Sequence, residues 1–227
     1  DDATGKYPQY QLIDPLQGAG NNQFGSNVAQ LQGVGKTVVT AHGTAIGGQN
    51  GAGAVYLYDT VTGALISTLT GTSANNFVGN GGITTLSNGN YVIRSANWTG
   101  NTGAVTWGSG ATGVSGAVSS SNSLVGSAAN DSVGGNGITV LSNGNYLVAS
   151  GGWGGNLGAV TWASGATGIV GAVSSSNSLV GSTIGDVVGS YVITTLGNGN
   201  YVVRTDNWNG TLGAVTWGNG TTGATVG

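Results

Sequence analysis

Apolar and polar positions alternate along this chain in short runs, and glycine or asparagine separates one run from the next. In "GITTLSNGNYVIRS" (82–95) two such runs flank Asn88-Gly89, a strong local signal for a β-hairpin. Alternation sets Tyr91 and Ile93 on one face of the second strand and Val92 and Arg94 on the other. "GAVTW" (103–107) reads as a third strand with Val105 and Trp107 on one side, and "VSGAVSS" (114–120) as a fourth. No stretch sustains a helical period.

This four-strand pattern recurs. "LSNGNYVIRSANW" (86–98), "LSNGNYLVASGGW" (141–153) and "LGNGNYVVRTDNW" (196–208) are one segment repeated every 55 residues. "GAVTWGSGATG" (103–113) keeps step at 158–168 and 213–223, and "GAVSSSNSLVGS" (116–127) returns at 171–182. An earlier unit is degenerate: "VAQLQGVGKTVVTA" (28–41) lies 55 residues before "ITTLSNGNYVIRSA" (83–96), which sets Leu31 on Leu86 and Lys36 on Tyr91.

A four-stranded meander at this period predicts an all-β fold, a four-bladed β-propeller whose blades gain a core by stacking. A β-solenoid is the alternative. The chain divides into an arm (1–15) and units 16–68, 69–123, 124–178 and 179–227, all within one repeat domain. The last unit reaches only "TTGATVG" where its outer strand should begin, while "YQLIDPLQG" (10–18) aligns with "GALISTLTG" (63–71). Residues Tyr10 to Pro15 are therefore expected to supply the last blade's missing strand. Within one chain that closes a ring; between chains the same donation links subunits.

Composition narrows the function. Four Lys and Arg against seven acidic residues, all Asp, give a net charge of −3, with no clustered cations for nucleic acid or an anionic membrane surface. The absence of Cys removes disulfides, thiol catalysis and thiolate metal sites. No run approaches the ~18 apolar residues of a membrane span. "QGVGKTVVT" (32–40) resembles a phosphate loop in its glycines and lysine. However, Gln30 stands where that loop needs glycine, and a β-branched strand follows where it needs a helix.

Few side chains suggest chemistry. His42 is the only histidine and has no nucleophile or acid beside it in sequence. Asp131 and Asp186 are equivalent positions a repeat apart and not an acid/base pair, so no catalytic residue is assigned. Trp107, Trp162 and Trp217 end the third strand and are expected to pack between blades. Arg94 and Arg204 are equivalent, with Ala149 in the third unit, a change easily made on a solvated face. Trp98, Trp153 and Trp208 follow a strand and precede loops rich in Gly, Asn and Thr. With Asn97 and Asn207 they form the candidate ligand site, a stacking platform for sugar rings; covering the end of the blade core is the other use of such residues.

The first unit resembles an FG-GAP repeat of integrin-type β-propellers, through Phe24-Gly25 in "NNQFGSNVAQL" (21–31) and through "GAVYLYD" (53–59). The later units resemble the Asn/Gly/Trp-rich tandem repeats of large bacterial surface proteins of adhesin type. This resemblance implies a non-catalytic surface or adhesion module, extracellular or on the cell surface, with glycans or other surface proteins as partners. It also raises calcium as a cofactor, but no complete Asp-rich loop is present. Asp131 and Asp186 correspond to Asn76, and an Asx-turn is the simpler use for all three. Two alternatives stand beside it: a subunit of a filament or layer assembled by strand donation, and a lectin using the loop tryptophans.

Overall fold

The structure, a computed structural model, describes residues 12–16 and 21–226. It is all-β and consists of four sheets in series. The first is built from β1 (Val28–Leu31), β2 (Lys36–Ala41), β3 (Ala54–Asp59) and β4 (Leu65–Thr70). The second unit contributes β5 (Gly82–Thr85), β6 (Tyr91–Ser95), β7 (Ala104–Gly108), β8 (Gly116–Ala117) and β9 (Ser123–Val125). The third repeats it as β10 (Gly137–Val140), β11 (Tyr146–Ser150), β12 (Ala159–Ala163), β13 (Gly171–Ala172) and β14 (Ser178–Val180). The fourth has β15 (Ile193–Thr195), β16 (Tyr201–Thr205), β17 (Ala214–Gly218) and β18 (Thr225–Val226). Among the described residues no helix is long and apolar enough to cross a membrane.

The hairpins fall where the Asn-Gly corners predict them. β5 and β6 pair from Gly82↔Arg94 to Thr85↔Tyr91, and Leu86 N–H closes the turn on Asn90 O at 2.8 Å. Gly89 takes the left-handed conformation (φ +83°) that a side chain would strain.

The fourth strand is a different segment from the one expected. "GAV" at 116–118 leaves its own unit and pairs in parallel with the preceding sheet, Leu69↔Gly116 and Thr70↔Ala117. Asn122 then turns the chain back: its Oδ1 accepts from Ser119 N–H at 2.9 Å and its Nδ2 donates to Ala117 O at 2.9 Å. Ser123–Val125 follows and completes its own sheet against β7. The third unit repeats this, with β13 parallel to β9 and Asn177 in the turn. Each of these two segments is thus a strap that crosses to the previous sheet and returns. The strap covers an edge that would otherwise present unpaired amides, and it buries Val118 and Val173.

Facing sides of successive sheets form the cores. One cluster joins the first two sheets through Val38, Val55 and Leu57 against Tyr91 and Ile93. A second joins Val92 and Val105 to Tyr146 and Val148, and a third joins Leu147 and Val160 to Tyr201 and Val203. Alternation in the first unit is displaced by one residue. Leu31 keeps its spacing with Leu86, but Val38 faces forward as Val92 does, while Val39 faces back. The reason is a longer hairpin: Gln32 to Gly35 all lie in the turn and Lys36 already pairs with Leu31. Lys36 is tied to Asp59 at 2.7 Å across β2 and β3, so "GVGK" is a hairpin corner.

The expected ring closure by Tyr10 to Pro15 is corrected. Tyr10 and Gln11 lie outside the described residues, and Leu12–Leu16 form no strand. They pack on the back of the first sheet, where Leu12 joins Phe24, Tyr56 and Tyr58. Tyr56 Oη donates to Asp14 Oδ1 at 2.7 Å and Tyr58 Oη donates to Ile13 O at 2.8 Å. Two buried phenols need acceptors there, and this segment supplies both. Burial, then Asp14, pushes the Tyr56 hydroxyl above the usual phenol range. The last sheet takes its fourth strand locally, from β18 on β17 (Trp217↔Val226). Among the described residues no hydrogen bond, ion pair or apolar cluster joins the fourth sheet to the first.

Candidate functional site

The loop tryptophans sit on tight left-handed turns rather than helices. After β6, Thr99, Gly100 and Asn101 all have positive φ, and Gly103 N–H closes the turn on Trp98 O at 3.1 Å. This folds the indole inward, so Trp98 packs on the cluster between sheets one and two, and Trp153 on that between two and three. Among the described residues both Nε1 atoms are buried without an acceptor. Trp208 differs. It is 37 % exposed and, with Leu179, Val188, Thr205 and Thr216, lines a cavity of about 330 Å³.

The asparagines beside them are engaged within the chain. Asn97 accepts from Asn80 and donates to Asn101 Oδ1 at 2.8 Å; Asn207 accepts from Tyr191 Oη at 3.0 Å. The five predicted site residues are therefore spread over successive sheets and not gathered, and Trp208 alone retains the character of a platform.

The repeated acidic positions hold backbone, more tightly than a simple Asx-turn. Asp131 Oδ2 accepts from Ser127 and Ala128 N–H at 2.8 and 2.9 Å, and Oδ1 from Gly154 N–H at 3.0 Å, in the tryptophan turn of its own unit. Asp186 repeats the bracket with Ser182, Thr183 and Asn209. Burial works against the charged form of Asp186. The N–H groups of Thr183, Asn209 and Ser182 outweigh it and hold the carboxyl below its ordinary value. Calcium would have to displace these donors from both oxygens. Among the described residues no three His, Cys, Asp or Glu side chains gather at one point.

Asn76 makes only half of this bracket. Its Oδ1 accepts from Thr72 and Ser73, while Thr99 N–H, the counterpart of Gly154 and Asn209, has no acceptor among the described residues. Asn76→Asp is expected to complete it and raise stability by about 1 kcal/mol at neutral pH, a few degrees in melting temperature. A carboxyl held below its ordinary value contributes fully above that value and loses the contribution as pH falls through the folded-state pKa. The gain should therefore be present at pH 7 and vanish in acid, as read by thermal melts across pH.

A second periodic device lies between sheets. Asn88 Nδ2, Asn90 Nδ2 and Trp107 Nε1 all donate to Gly165 O, at 2.8, 3.0 and 3.0 Å. Asn143, Asn145 and Trp162 donate to Gly220 O in the same way, at 2.8, 2.9 and 2.9 Å. The Asn-Gly-Asn corners and strand-end tryptophans of the second and third units thus each grip one carbonyl of the next unit. Packing was expected of Trp107, Trp162 and Trp217, and Trp217 departs from it at 38 % exposed; the shared acceptor was not expected, although "NGN", Trp and the following "SGATG" or "NGTTG" recur in step. Arg94 is also less solvated than expected, since its Nη1 donates to Gly134 O at 3.1 Å and burial lowers its pKa. Arg204, its counterpart, is exposed and pairs with Asp206. His42 is an edge contact: its Nδ1 meets Ser26 Oγ at 2.9 Å, and burial lowers its pKa.

Fold and periodic bonds together define a β-sheet tandem-repeat protein whose recurring polar residues lock one unit to the next. The chain belongs to a repeat family described as "Repeat of unknown function (DUF5650)", which matches it over residues 85–135, 140–190 and 195–226. The matching family is this one and not the FG-GAP family, and the degenerate first unit lies outside the matches. No curated protein matches the chain.

Proposed function

We propose that this chain is a non-catalytic module of an extracellular or cell-surface protein, a stack of β-repeats that serves adhesion or binding. The observation that carries this reading is where the repeated polar groups are spent. Asp131 and Asp186 hold backbone N–H groups, and the Asn-Gly-Asn corners with Trp107 and Trp162 hold carbonyls of the next unit. The repeat is built to propagate itself rather than to present reactive groups. The FG-GAP likeness of the first unit supports the same class, because Phe24 packs on Tyr56 and Tyr58 of "GAVYLYD" with ring centroids 5.8 and 6.4 Å apart.

A second reading has its own observation. The half-exposed Trp208 beside a cavity suits a sugar ring, which makes the fourth unit a lectin site. Beads coated with the purified chain, tested on glycan arrays and on matrix and cell-surface proteins, separate the two. Retention that survives Trp208→Ala is the expected outcome for an adhesion module. Retention on glycans abolished by that change moves the function to the lectin, and no retention on any surface removes both.

A further inference from the structure

The two ends of the stack differ. The back of the first sheet is covered by Leu12–Leu16, whereas among the described residues nothing covers the forward face of the fourth. Val105 and Val160, on the forward faces of sheets two and three, are 1 % and 2 % exposed; their counterpart Val215 is 69 % exposed and Trp217 is 38 % exposed. The polar donors follow suit. Asn198, Asn200 and Trp217 stand where Asn88, Asn90, Trp107 and Asn143, Asn145, Trp162 converge on a carbonyl, yet among the described residues their side-chain N–H groups have no acceptor.

Two strand edges are open in the same place. β12 is paired along Ala159–Thr161 by the Ser-Leu-Val strand β14, but β18 reaches only Trp217 and Gly218, which among the described residues leaves Ala214–Thr216 without a partner on that side. β9 is covered by the strap β13, but among the described residues β14 carries no strap; instead a groove of about 450 Å³ runs between Trp162, Leu179 and Thr222–Thr225.

We propose that this combined surface is a docking site for a further unit of the same repeat. The inference rests on internal precedent. On sheets two and three the following unit covers the apolar face and supplies the carbonyl for the three donors, and β7 and β12 are paired by a Ser-Leu-Val strand. Added chain in register brings the complements together: a valine that, with Val226-Gly227, falls one period after the Gly171-Ala172-Val173 strap and so suits β14, a Ser-Leu-Val strand for β17, and a glycine carbonyl for the three donors. A second copy of this chain is poorly suited, because its own straps and Ser-Leu-Val strands are already paired and the back of its first sheet is occupied.

The test extends the full chain after Gly227 with a second copy of residues 173–227, which continues the repeat in register. Hydrogen exchange of the Ala214–Thr216 segment should slow about tenfold or more relative to the unextended chain, and iodide quenching of Trp217, read by difference against Trp217→Phe, should fall. Val215→Asp in the extended chain should abolish both effects. An added unit that stays unfolded, or that folds without protecting Ala214–Thr216, overturns the proposal. Protection already present in the unextended chain also overturns it: in a monomer the chain's own residues cover the face, and in a concentration-dependent dimer a second copy does. Ultracentrifugation distinguishes those two.

Discussion

Gly165→Ala is expected to cost more than about 3 kcal/mol and to uncouple the second and third sheets. A Cβ at Gly165 would overlap the Gly144 carbonyl oxygen, backbone that has no freedom to retreat. The same residue offers the carbonyl gripped by Asn88, Asn90 and Trp107, so any shift that relieves the overlap pulls that oxygen from three donors. Its N–H is also held, by Asn145 Oδ1 at 3.0 Å. Gly197→Ala is the control, since nothing lies within 4 Å of its Cβ position. That variant should stay within about 0.5 kcal/mol of the parent. Urea melts followed by tryptophan fluorescence measure both, and a Gly165→Ala midpoint equal to the control's would refute the close-approach argument.

The second large effect is at Tyr146. This ring is almost fully buried between sheets two and three, against Leu86, Val92 and Val105, and burial raises its hydroxyl pKa above the usual phenol range. Tyr146→Ala removes an aromatic ring from a site that strands on both sides prevent from collapsing, at a cost of about 3–5 kcal/mol. In a stack held by nearest-neighbour interfaces the loss is local. Unfolding should therefore separate into two transitions, one for the first two units and one for the last two. Calorimetry reads this directly; a single transition lowered as a whole would mean that the stack melts as one body.

The strands and corners were legible because their causes are local: period-two alternation and an Asn-Gly turn act within about ten residues. The stacking of Trp107 and Trp162 was legible too, since a large ring on an apolar strand face is buried wherever a neighbouring sheet meets it; Trp217, expected to pack in the same way, is 38 % exposed, because among the described residues no sheet meets its face. The straps were not. Gly116–Ala117 is a two-residue strand whose partner, Leu69–Thr70, lies almost a full repeat earlier, and so short a segment shows no alternation. The placement of Leu12–Leu16 was missed for a related reason. The likeness to "GALISTLTG" is a likeness of apolar pattern, whereas their position is decided by two phenols needing acceptors, Asp14 Oδ1 and Ile13 O. At the candidate site, sequence located all three loop tryptophans but not their direction. Positive φ at Thr99, Asn101, Asn156, Asn209 and Thr211 turns the loops, and composition does not encode which way an indole then points.

The straps also impose an order on assembly. As the chain leaves the ribosome, the first sheet is complete through Thr70 but keeps a bare outer edge until Gly116 and Ala117 have emerged and reached back to it. The second waits in the same way for Gly171 and Ala172. Each of these two newborn sheets thus spends an interval of synthesis with an adhesive margin, which its successor then closes. Such a margin is vulnerable to pairing with a neighbouring nascent chain, and near-identical units raise the chance of the wrong successor filling it. Translation that pauses between a Ser-Leu-Val strand and the next strap would lengthen that window; uninterrupted translation would shorten it.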